Sequence, residues 1–303
     1  MPQFAKRVGR AKPSAIMVVA EKARALKAAG RDIISFSIGV PNFLPGPHVY
    51  EAARRSLDDD SGQYGSNRGR DDLLDAFLGH LRGLGMDGYE RRHCAVAVGA
   101  KHVLYNLPEN DYKLTPEQLD QALASKPRVF LFNNPSNPTG MVYSRDEIAA
   151  LAKVLVRHPD TWVITDDIYN TMVFDGVGYH NFVQCEPSLR ERVIFVDSLS
   201  KTYGMPGWRV GLMAGPESVA QALVTLNSNH ITCLPEVVTA AAVAALSGPQ
   251  DVPERKCAEF QARRDQVLAA MRAIPGVVCP APQGAFYVFP DVSCAYGRRH
   301  GEV

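Results

Sequence analysis

Residues 198–211, with the sequence SLSKTYGMPGWRVG, combine side chains that can hold a phosphate with a lysine that can form a covalent bond. Lys201 lies among hydroxyls, including those of Ser198 and Ser200, and Arg209 follows eight residues later. Arginine and hydroxyls bind phosphate, and a lysine whose pKa is lowered by burial or by a cationic neighbour can form a Schiff base with a carbonyl. The stretch therefore favours a ligand with both a phosphate and an electrophilic carbonyl. The alternative, from composition alone, is a glycine-rich surface loop with a solvated lysine.

Polar side chains also follow two earlier strand-like runs. The run RVIFV at residues 192–196 predicts a buried strand that leads directly into the lysine stretch. Of the two earlier runs, one leads into a loop stiffened by two prolines that presents Asn137, and the other leads into Asp166 and Tyr169. An aspartate at a strand end is commonly solvated, and it can instead be the buried partner of a protonated ring nitrogen.

A further strand, residues 94–98, runs into Gly99, Ala100 and Lys101 before a helix begins. A strand, a turn of small residues and a helix N-terminus offer backbone N–H groups to an anion, but the chain contains neither GxGxxG nor GxxxxGK[ST]. Strands and helices alternate from residue 95 to 215. This alternation predicts a mostly parallel sheet whose ligand-binding loops follow the strand ends.

The elements that must position these residues follow from hydrophobic periodicity and capping residues. Strands are predicted over residues 32–38, 94–98, 128–132, 162–165, 192–196 and 285–289, and helices over 14–29, 48–57, 71–84, 102–106, 115–125, 146–157, 217–227, 235–246 and 253–274. The helix at 102–106 is stopped by Pro108 after barely two turns. Parallel strands usually need a longer crossover, so the sequence predicts that a segment is missing after Asn106.

The composition of the 303 residues predicts a soluble globular protein, because 46% are hydrophobic and the formal net charge is only +1. This balance gives no electrostatic reason to expect binding to nucleic acid or to a membrane. The longest apolar run, residues 237–246, is too short to span a bilayer. Six widely separated cysteines without ligand spacing predict reduced thiols, no metal site and a cytoplasmic location.

Four segments together resemble the pyridoxal-phosphate-dependent aminotransferases of fold type I, specifically the class I/II, aspartate-aminotransferase-like group. They are VGAKHVLYN, NNPSNPTG, ITDDIY and SLSKTYGMPGWRVG, in the order in which that family has them. The resemblance extends from about Phe4 to Asp291 and implies a three-layer α/β sandwich with a mostly parallel central sheet. It also implies a small α/β domain that is incomplete in this chain. The expected domains are an N-terminal arm with part of the small domain at 1–40, a cofactor-binding large domain at 41–225, and a long helix with a partial small domain at 226–303.

The resemblance implies a role for each polar residue at the strand ends. Lys201 would hold pyridoxal 5′-phosphate as an internal aldimine and move the proton at the substrate Cα, and Asp166 would keep the ring nitrogen protonated. Tyr169 and Asn137 would bind the phenolic oxygen of the cofactor, and Asn137 would also face the substrate carboxylate. The phosphate would be held by Ser198, Ser200, Arg209 and the backbone at Gly99, Ala100 and Lys101.

Two more positions follow from the resemblance alone. Gly39 would lie near the substrate carboxylate. Tyr64 would reach the phosphate of a neighbouring subunit, so the functional unit would be a homodimer. The implied reaction is a ping-pong transfer of an amino group from an amino acid, aspartate or another common one, to 2-oxoglutarate.

The chain also departs from the family pattern. It lacks roughly forty residues after Asn106, in agreement with the crossover argument, and with them the aromatic residue that stacks on the cofactor. It also lacks most of the small domain after Asp291, including the arginine that clamps the substrate carboxylate. The alternatives are therefore a lyase or decarboxylase on the same fold, or a non-catalytic cofactor-binding derivative if the protein has only these 303 residues.

Overall fold

The computed structural model describes residues 15–36, 39–59, 63–98 and 113–298. The chain divides into two compact units, Met1–Val40 and Pro41–Val303. The first unit contains helix α1 (Ala15–Ala28), which agrees with the helix predicted over residues 14–29. The predicted division of the larger unit at residue 225 stays a prediction.

The strand predicted over residues 32–38 is wrong over its described part. Residues 32–36 have no regular secondary structure, and 37–38 lie outside the described residues. Ile34 and Phe36, two of the apolar residues of this segment, are 79% and 96% exposed. Alternation stabilises a strand only where a neighbouring strand and a core are available to it. The described part of this unit contains no second strand.

The second unit is built on one five-stranded sheet. Its strands are β1 (Cys94–Val98), β2 (Val129–Asn133), β3 (Trp162–Asp166), β4 (Val193–Ser198) and β5 (Val210–Ala214), in the spatial order β1-β5-β4-β3-β2. Strands β2, β3 and β4 are parallel neighbours, and β5 runs antiparallel to both β1 and β4. Four of the five strands therefore share one direction, which confirms the mostly parallel sheet.

The helices predicted for the described part of this unit agree with the structure to within about three residues at each end. The structure has α2 (Pro47–Asp58), α3 (Asp71–Gly83), α4 (Pro116–Leu123), α5 (Arg145–Arg157), α6 (Phe182–Cys185), α7 (Leu199–Thr202), α8 (Glu217–His230), α9 (Glu236–Ser247) and α10 (Asp251–Arg272). The short helices α6 and α7 were not predicted. The predicted helix at 102–106 lies outside the described residues.

Helices α4 and α5 begin where side chains satisfy the first free backbone N–H groups. Thr115 caps α4, and its hydroxyl accepts a hydrogen bond from the backbone N–H of Gln118 at 3.3 Å. Ser144 caps α5 in the same way, and its backbone N–H donates a hydrogen bond to Glu147 Oε2 at 2.7 Å. Such reciprocal capping boxes stabilise a helix start, which agrees with the helix predicted to begin at residue 115.

Alternate residues of the strands pack on opposite faces of the sheet. Cys94 and Val96 belong to the principal core, to which α3 contributes Phe77. Ala95, between them, belongs to a second cluster with Leu223 of α8. Because successive side chains of a strand point to opposite faces, helices cover both sides of the sheet. The three-layer α/β arrangement expected from the resemblance is confirmed.

The strand predicted over residues 285–289 is also wrong. This segment is irregular, apart from one isolated bridge between Gly284 and Val173. Ala285 has a φ of +57°, in the left-handed region, and this reverses the extended course that a strand requires. The segment instead packs on the residues that follow β3. Across the described chain, no helix has the length and apolar composition that a membrane crossing needs.

Candidate active site

The carboxyl ends of three neighbouring strands bring the predicted site residues together. β2 ends at Asn133, β3 at Asp166 and β4 at Ser198, and all three strands run in the same direction. The register places Asn133 opposite Asp166 and Asp166 opposite Val196. The loops after these strands therefore start along one edge of the sheet, where α/β proteins bind their ligands.

Lys201 lies on a single helical turn, α7, that begins where β4 ends. Ser198 caps this turn, because its Oγ accepts a hydrogen bond from the backbone N–H of Ser200 at 3.1 Å. The cap fixes the direction in which the turn leaves the sheet. The position of Lys201 is thus determined by strand β4 and by the residue types just before the lysine.

The Lys201 side chain is half-buried rather than solvated. Its Nζ lies 5.4 Å from the ring centroid of Phe286. Burial lowers the pKa of Lys201, the negative charge of Asp166 opposes this effect, and the positive charge of Arg209 adds to it. A lysine with a lowered pKa is more often in the neutral form that attacks a carbonyl. The surface-loop alternative for this lysine is wrong.

Asp166 presents a buried carboxylate oxygen to this edge of the sheet. Its Oδ1 is inaccessible to solvent and has no hydrogen-bond partner among the described residues. Burial raises the pKa of Asp166 to about 6, the backbone N–H of Ile168 opposes this rise, the charge of Asp197 adds to it and that of Lys201 opposes it. A buried acceptor without a donor is costly, so a protonated nitrogen of a bound ligand would stabilise it.

Tyr169 and Asn137 lie close to each other through a third side chain, Tyr287. The hydroxyl oxygens of Tyr169 and Tyr287 are 2.6 Å apart, and Asn137 Nδ2 donates to Tyr287 Oη at 3.4 Å. Burial is the main cause that raises the pKa of Tyr169, and the neighbouring Tyr287 raises it further, so the Tyr169 hydroxyl stays protonated. The backbone N–H of Asn137 donates to Asn133 Oδ1 at 2.6 Å, which fixes the loop after β2.

The predicted phosphate ligands lie at the end of β4 and the start of β5. Ser198 Oγ is 2.8 Å from Ser200 Oγ and 2.7 Å from the carbonyl oxygen of Val210. Arg209 is exposed, and its Nη2 donates to the carbonyl oxygen of Val98, at the end of β1, at 3.4 Å. Two hydroxyls and a guanidinium group are therefore available near the point where β1 ends.

Other predicted site residues are not brought into this cluster by the described structure. Gly99, Ala100 and Lys101 lie outside the described residues. Gly39 belongs to the first compact unit, and its role near the substrate carboxylate stays a prediction. Tyr64 is 88% exposed, and its role in a neighbouring subunit also stays a prediction.

The sequence reasoning missed Phe286 and Tyr287, because it assigned them to a strand. In the structure, Ala285 and Met172 share a buried cluster with Tyr169, and Phe286 and Tyr287 pack against that cluster. The available signal was the glycine before these aromatic residues. A Cβ on Gly284 would lie 2.7 Å from the carbonyl oxygen of Met172, so this backbone must approach another closely.

A second buried aspartate, Asp197, connects the segments that carry the cluster. Asp197 Oδ2 accepts hydrogen bonds from Asn170 Nδ2 at 2.7 Å and from His80 Nε2 at 2.9 Å. Its Oδ1 accepts from the backbone N–H of Ser198 at 2.6 Å. These bonds connect the segment after β3 to the start of the turn that carries Lys201. The sequence reasoning did not identify this network.

The donor and acceptor set is complementary to pyridoxal 5′-phosphate. Asp166 Oδ1 lacks a donor, and the protonated ring nitrogen of the cofactor is one. Tyr169 and Asn137 offer hydrogen-bond donors for the phenolic oxygen, and Ser198, Ser200 and Arg209 suit the phosphate. The half-buried Lys201 has an amine that could react with the carbonyl of such a ligand. The described residues contain no group of three or more His, Cys, Asp or Glu side chains that could hold a metal ion.

Comparisons with known proteins agree with this chemistry. The family model described as "Aminotransferase class I and II" matches residues 89–296. The aspartate/prephenate aminotransferase of Cereibacter sphaeroides is 36% identical over 96% of this chain and 82% of the relative. The aspartate aminotransferase of Geobacillus stearothermophilus is 33% identical over 95% of this chain and 83% of the relative. The Cereibacter alignment spans 329 positions, more than the 303 residues of this chain, so the relative has residues where this chain has none.

Solved structures give the same result. The aspartate aminotransferase of Rhizobium meliloti superimposes with a TM-score of 0.89 at 31% identity, covering 96% of this chain and 82% of the other. The aspartate aminotransferase of Thermus thermophilus with maleate also has a TM-score of 0.89, at 27% identity over 98% of this chain and 87% of the other. The similarity therefore extends over nearly the whole length of this chain.

Proposed function

Because this chain belongs to the class I and II aminotransferases and is a pyridoxal-phosphate-dependent transaminase, we propose that its amino donor is aspartate or a similar dicarboxylic amino acid and its acceptor 2-oxoglutarate. Support for the donor comes from relatives named aspartate and aspartate/prephenate aminotransferases. The Thermus enzyme was solved with maleate, which is itself a four-carbon dicarboxylate. A lyase or decarboxylase and a non-catalytic derivative are not favoured, because these relatives are aminotransferases.

One observation supports the proposed residue roles most directly. Lys201 has a lowered pKa, and it interacts electrostatically with Asp166, whose buried Oδ1 lacks a partner among the described side chains. A reactive amine beside an acceptor that needs a donor is what a pyridine ring with a carbonyl requires. We therefore assign Lys201 as the amine that holds the cofactor and Asp166 as the partner of the ring nitrogen.

The remaining roles follow from what each side chain can donate or accept. Bound pyridoxal phosphate supplies a protonated ring that withdraws electrons from the substrate Cα. Asp166 holds the ring proton in place, and Tyr169, kept protonated by burial, donates a hydrogen bond. Lys201 takes up and returns a proton at Nζ, because burial disfavours its ammonium form. Phe286 lies beside Nζ and excludes water from one side of the amine.

The assignment of Lys201 is tested by reductive labelling of the purified protein. Pyridoxal phosphate is added, the linkage is reduced with borohydride, and the labelled peptide is mapped. We expect one labelled lysine, Lys201, and no label in Lys201→Ala. The matched control Lys256→Ala removes an amine that forms an ion pair with Glu259 on α10, and it should leave labelling unchanged. A label at another lysine in the wild-type chain would contradict the assignment.

The substrate proposal has its own test. Purified protein with pyridoxal phosphate is given 2-oxoglutarate as the acceptor and one amino donor at a time, which is aspartate, an amino acid derived from prephenate, or an aromatic amino acid. The glutamate formed is measured. Aspartate should give the highest kcat/KM. Release of carbon dioxide or ammonia without glutamate would instead favour the decarboxylase or lyase reaction. These outcomes do not depend on which lysine carries the label.

We also propose that the protein is a cytoplasmic homodimer in which Tyr64 reaches the neighbouring site. Tyr64 is 88% exposed, which leaves its ring available to a second subunit. All six cysteines are free thiols, which supports a reducing compartment. Light scattering should give twice the mass of the chain. Tyr64→Phe should weaken cofactor binding without changing that mass, and a monomeric protein would contradict the proposal.

A further inference from the structure

The segment that carries Phe286 and Tyr287 is attached to two of the loops at the edge of the sheet. The backbone N–H of Ala285 donates to the carbonyl oxygen of Met172 at 2.9 Å, and that of Gly284 donates to the carbonyl oxygen of Gly140 at 2.9 Å. Both glycines are closely enclosed, since a Cβ on Gly140 would lie 2.4 Å from Pro282 Cβ. The backbone therefore holds the two aromatic side chains in a defined place.

The Tyr287 hydroxyl lies between two residues that the resemblance assigns to the cofactor. It is 2.6 Å from the Tyr169 hydroxyl and accepts a hydrogen bond from Asn137 Nδ2 at 3.4 Å. The rings of Tyr169 and Tyr287 meet edge to face, with centroids 5.7 Å apart and an interplanar angle of 84°. The family resemblance assigns no role to Tyr287.

Either hydroxyl can donate in the bond between Tyr169 and Tyr287, and the direction determines whether a ligand can receive the Tyr169 proton. A phenol has one proton to donate and two lone pairs that accept, whereas the Asn137 amide nitrogen only donates. Burial raises the pKa of both Tyr169 and Tyr287, and the bond between their hydroxyls raises the pKa of Tyr169 and lowers that of Tyr287, as it does when Tyr169 is the donor in the absence of a ligand. When a ligand oxygen accepts the Tyr169 proton instead, Tyr287 can accept from Asn137 and donate to Tyr169. In the opposite direction, Tyr169 would use its only proton on Tyr287.

We propose that Tyr287 is a positioning residue that directs the Tyr169 hydroxyl proton towards the phenolic oxygen of the cofactor. This inference rests on the proposed cofactor site. The chain of donors runs from Asn137 through Tyr287 to Tyr169. Successive hydrogen bonds polarise one another, so Tyr169 becomes a stronger donor than it would be alone. Tyr287 acts through Tyr169 and needs no contact of its own with the ligand.

The effect is measurable in the absorbance of the bound cofactor. A hydrogen bond donated to the phenolic oxygen stabilises its negative charge and so lowers the affinity of the Lys201 nitrogen for a proton. Tyr287→Phe weakens that donor. The midpoint of the pH titration of the absorbance should therefore move upward, in the same direction as in Tyr169→Phe and by a smaller amount. The dissociation constant of pyridoxal phosphate should rise by about two- to fivefold, the size of one weakened hydrogen bond.

The double variant separates positioning from direct contact. If Tyr287 acts through Tyr169, then Tyr287→Phe has no further effect on the midpoint in a Tyr169→Phe background. Tyr143→Phe is the matched control, because it removes a buried hydroxyl that accepts from the Leu114 backbone at 2.6 Å, outside this chain of donors. It should leave the midpoint unchanged. Thermal unfolding of each variant checks that the fold is retained.

Two results would overturn the inference while leaving the cofactor site intact. The first is a Tyr287→Phe midpoint that equals that of the wild type or moves downward. The second is a full additional shift in the Tyr169→Phe background, which would mean that Tyr287 acts independently. Failure of the wild-type chain to bind pyridoxal phosphate at all would instead count against the proposed site.

Discussion

Two buried aspartates at the same edge of the sheet have opposite hydrogen-bond environments. Asp197 accepts hydrogen bonds from three donors in the described chain, on Ser198, Asn170 and His80. Asp166 Oδ1 has none among the same residues. Buried polar groups are normally satisfied, so an exception requires an explanation. Asp197 is satisfied by the protein itself, whereas Asp166 Oδ1 is left to accept a hydrogen bond from a ligand, as the proposed function requires.

A third aspartate shows that a missing partner is not sufficient evidence for ligand binding. Asp167 Oδ2 is also buried and without a partner in the described structure. However, Asp167 is only 1% exposed, burial raises its pKa well above the usual value, and the side chains of Thr165 and Tyr179 beside it oppose this rise. Asp166 is less enclosed as a whole residue and interacts with Lys201. The lesser burial of the whole Asp166 residue and its charged neighbour Lys201 distinguish the two aspartates.

The largest expected effect is a loss of activity, and it tests whether the charge of Asp166 serves the proposed reaction rather than the stability of the fold. Asp166→Asn removes the negative charge that holds the ring proton, so we expect kcat to fall by about 10²-fold or more. Its stability without cofactor should not fall, because a buried charge without a donor is removed. Steady-state kinetics and urea unfolding of the cofactor-free protein measure the two effects. Full activity in Asp166→Asn would contradict the proposed difference in role between Asp166 and Asp197.

Asp197 should show the reverse pattern. Asp197→Ala leaves the donors of Asn170 and His80 buried and unpaired, so we expect a loss of about 2–4 kcal/mol in the free energy of unfolding. Asp197→Asn keeps an acceptor oxygen and should lose less. Urea unfolding of the cofactor-free protein measures both. If Asp197→Ala were as stable as the wild type, its three hydrogen bonds would not support the fold at this edge.

Much of this edge follows from sequence, because it depends on local patterns. Runs rich in β-branched and aromatic residues predict strands β2 to β4, and each of these leads into polar residues that belong at its end. Thr115, with proline following and glutamine at the third helical position, predicts a helix start in the same local way. Residues such as Asp166 and Tyr169 are therefore placed correctly by counting from a strand.

The rest depends on contacts between segments far apart in sequence. Tyr287 meets Tyr169 only because Ala285 adopts a left-handed conformation, which no local preference of alanine predicts. His80, on α3, reaches Asp197 across the principal core, and neither residue type indicates such a pairing. Alternation also misled at residues 32–36, where the pattern of a strand exists without a neighbouring strand. The proximity of Lys201 to Phe286 could not be predicted either, because the two residues are far apart in sequence.

The smallest expected effect is a pH dependence that belongs to Asp166. Its pKa is raised to about 6 by burial in the folded protein, against about 4 in an unfolded chain. Between these values the folded state binds more protons than the unfolded state, so stability falls as pH rises. For Asp166 alone this fall should be at most about 3 kcal/mol, and it should be complete above pH about 7. Urea unfolding of the cofactor-free protein at several pH values measures it.

Asp166→Asn provides the control for this dependence, because it cannot ionise while other buried acids, such as Asp167, remain. The difference in unfolding free energy between wild type and Asp166→Asn should therefore change between pH about 4 and 6 and stay constant above pH about 7. Asp197→Asn should move this change to lower pH, since the charge of Asp197 helps to raise the pKa of Asp166. A pH-independent difference would mean that Asp166 is not held in the unsatisfied state that sets it apart from Asp197.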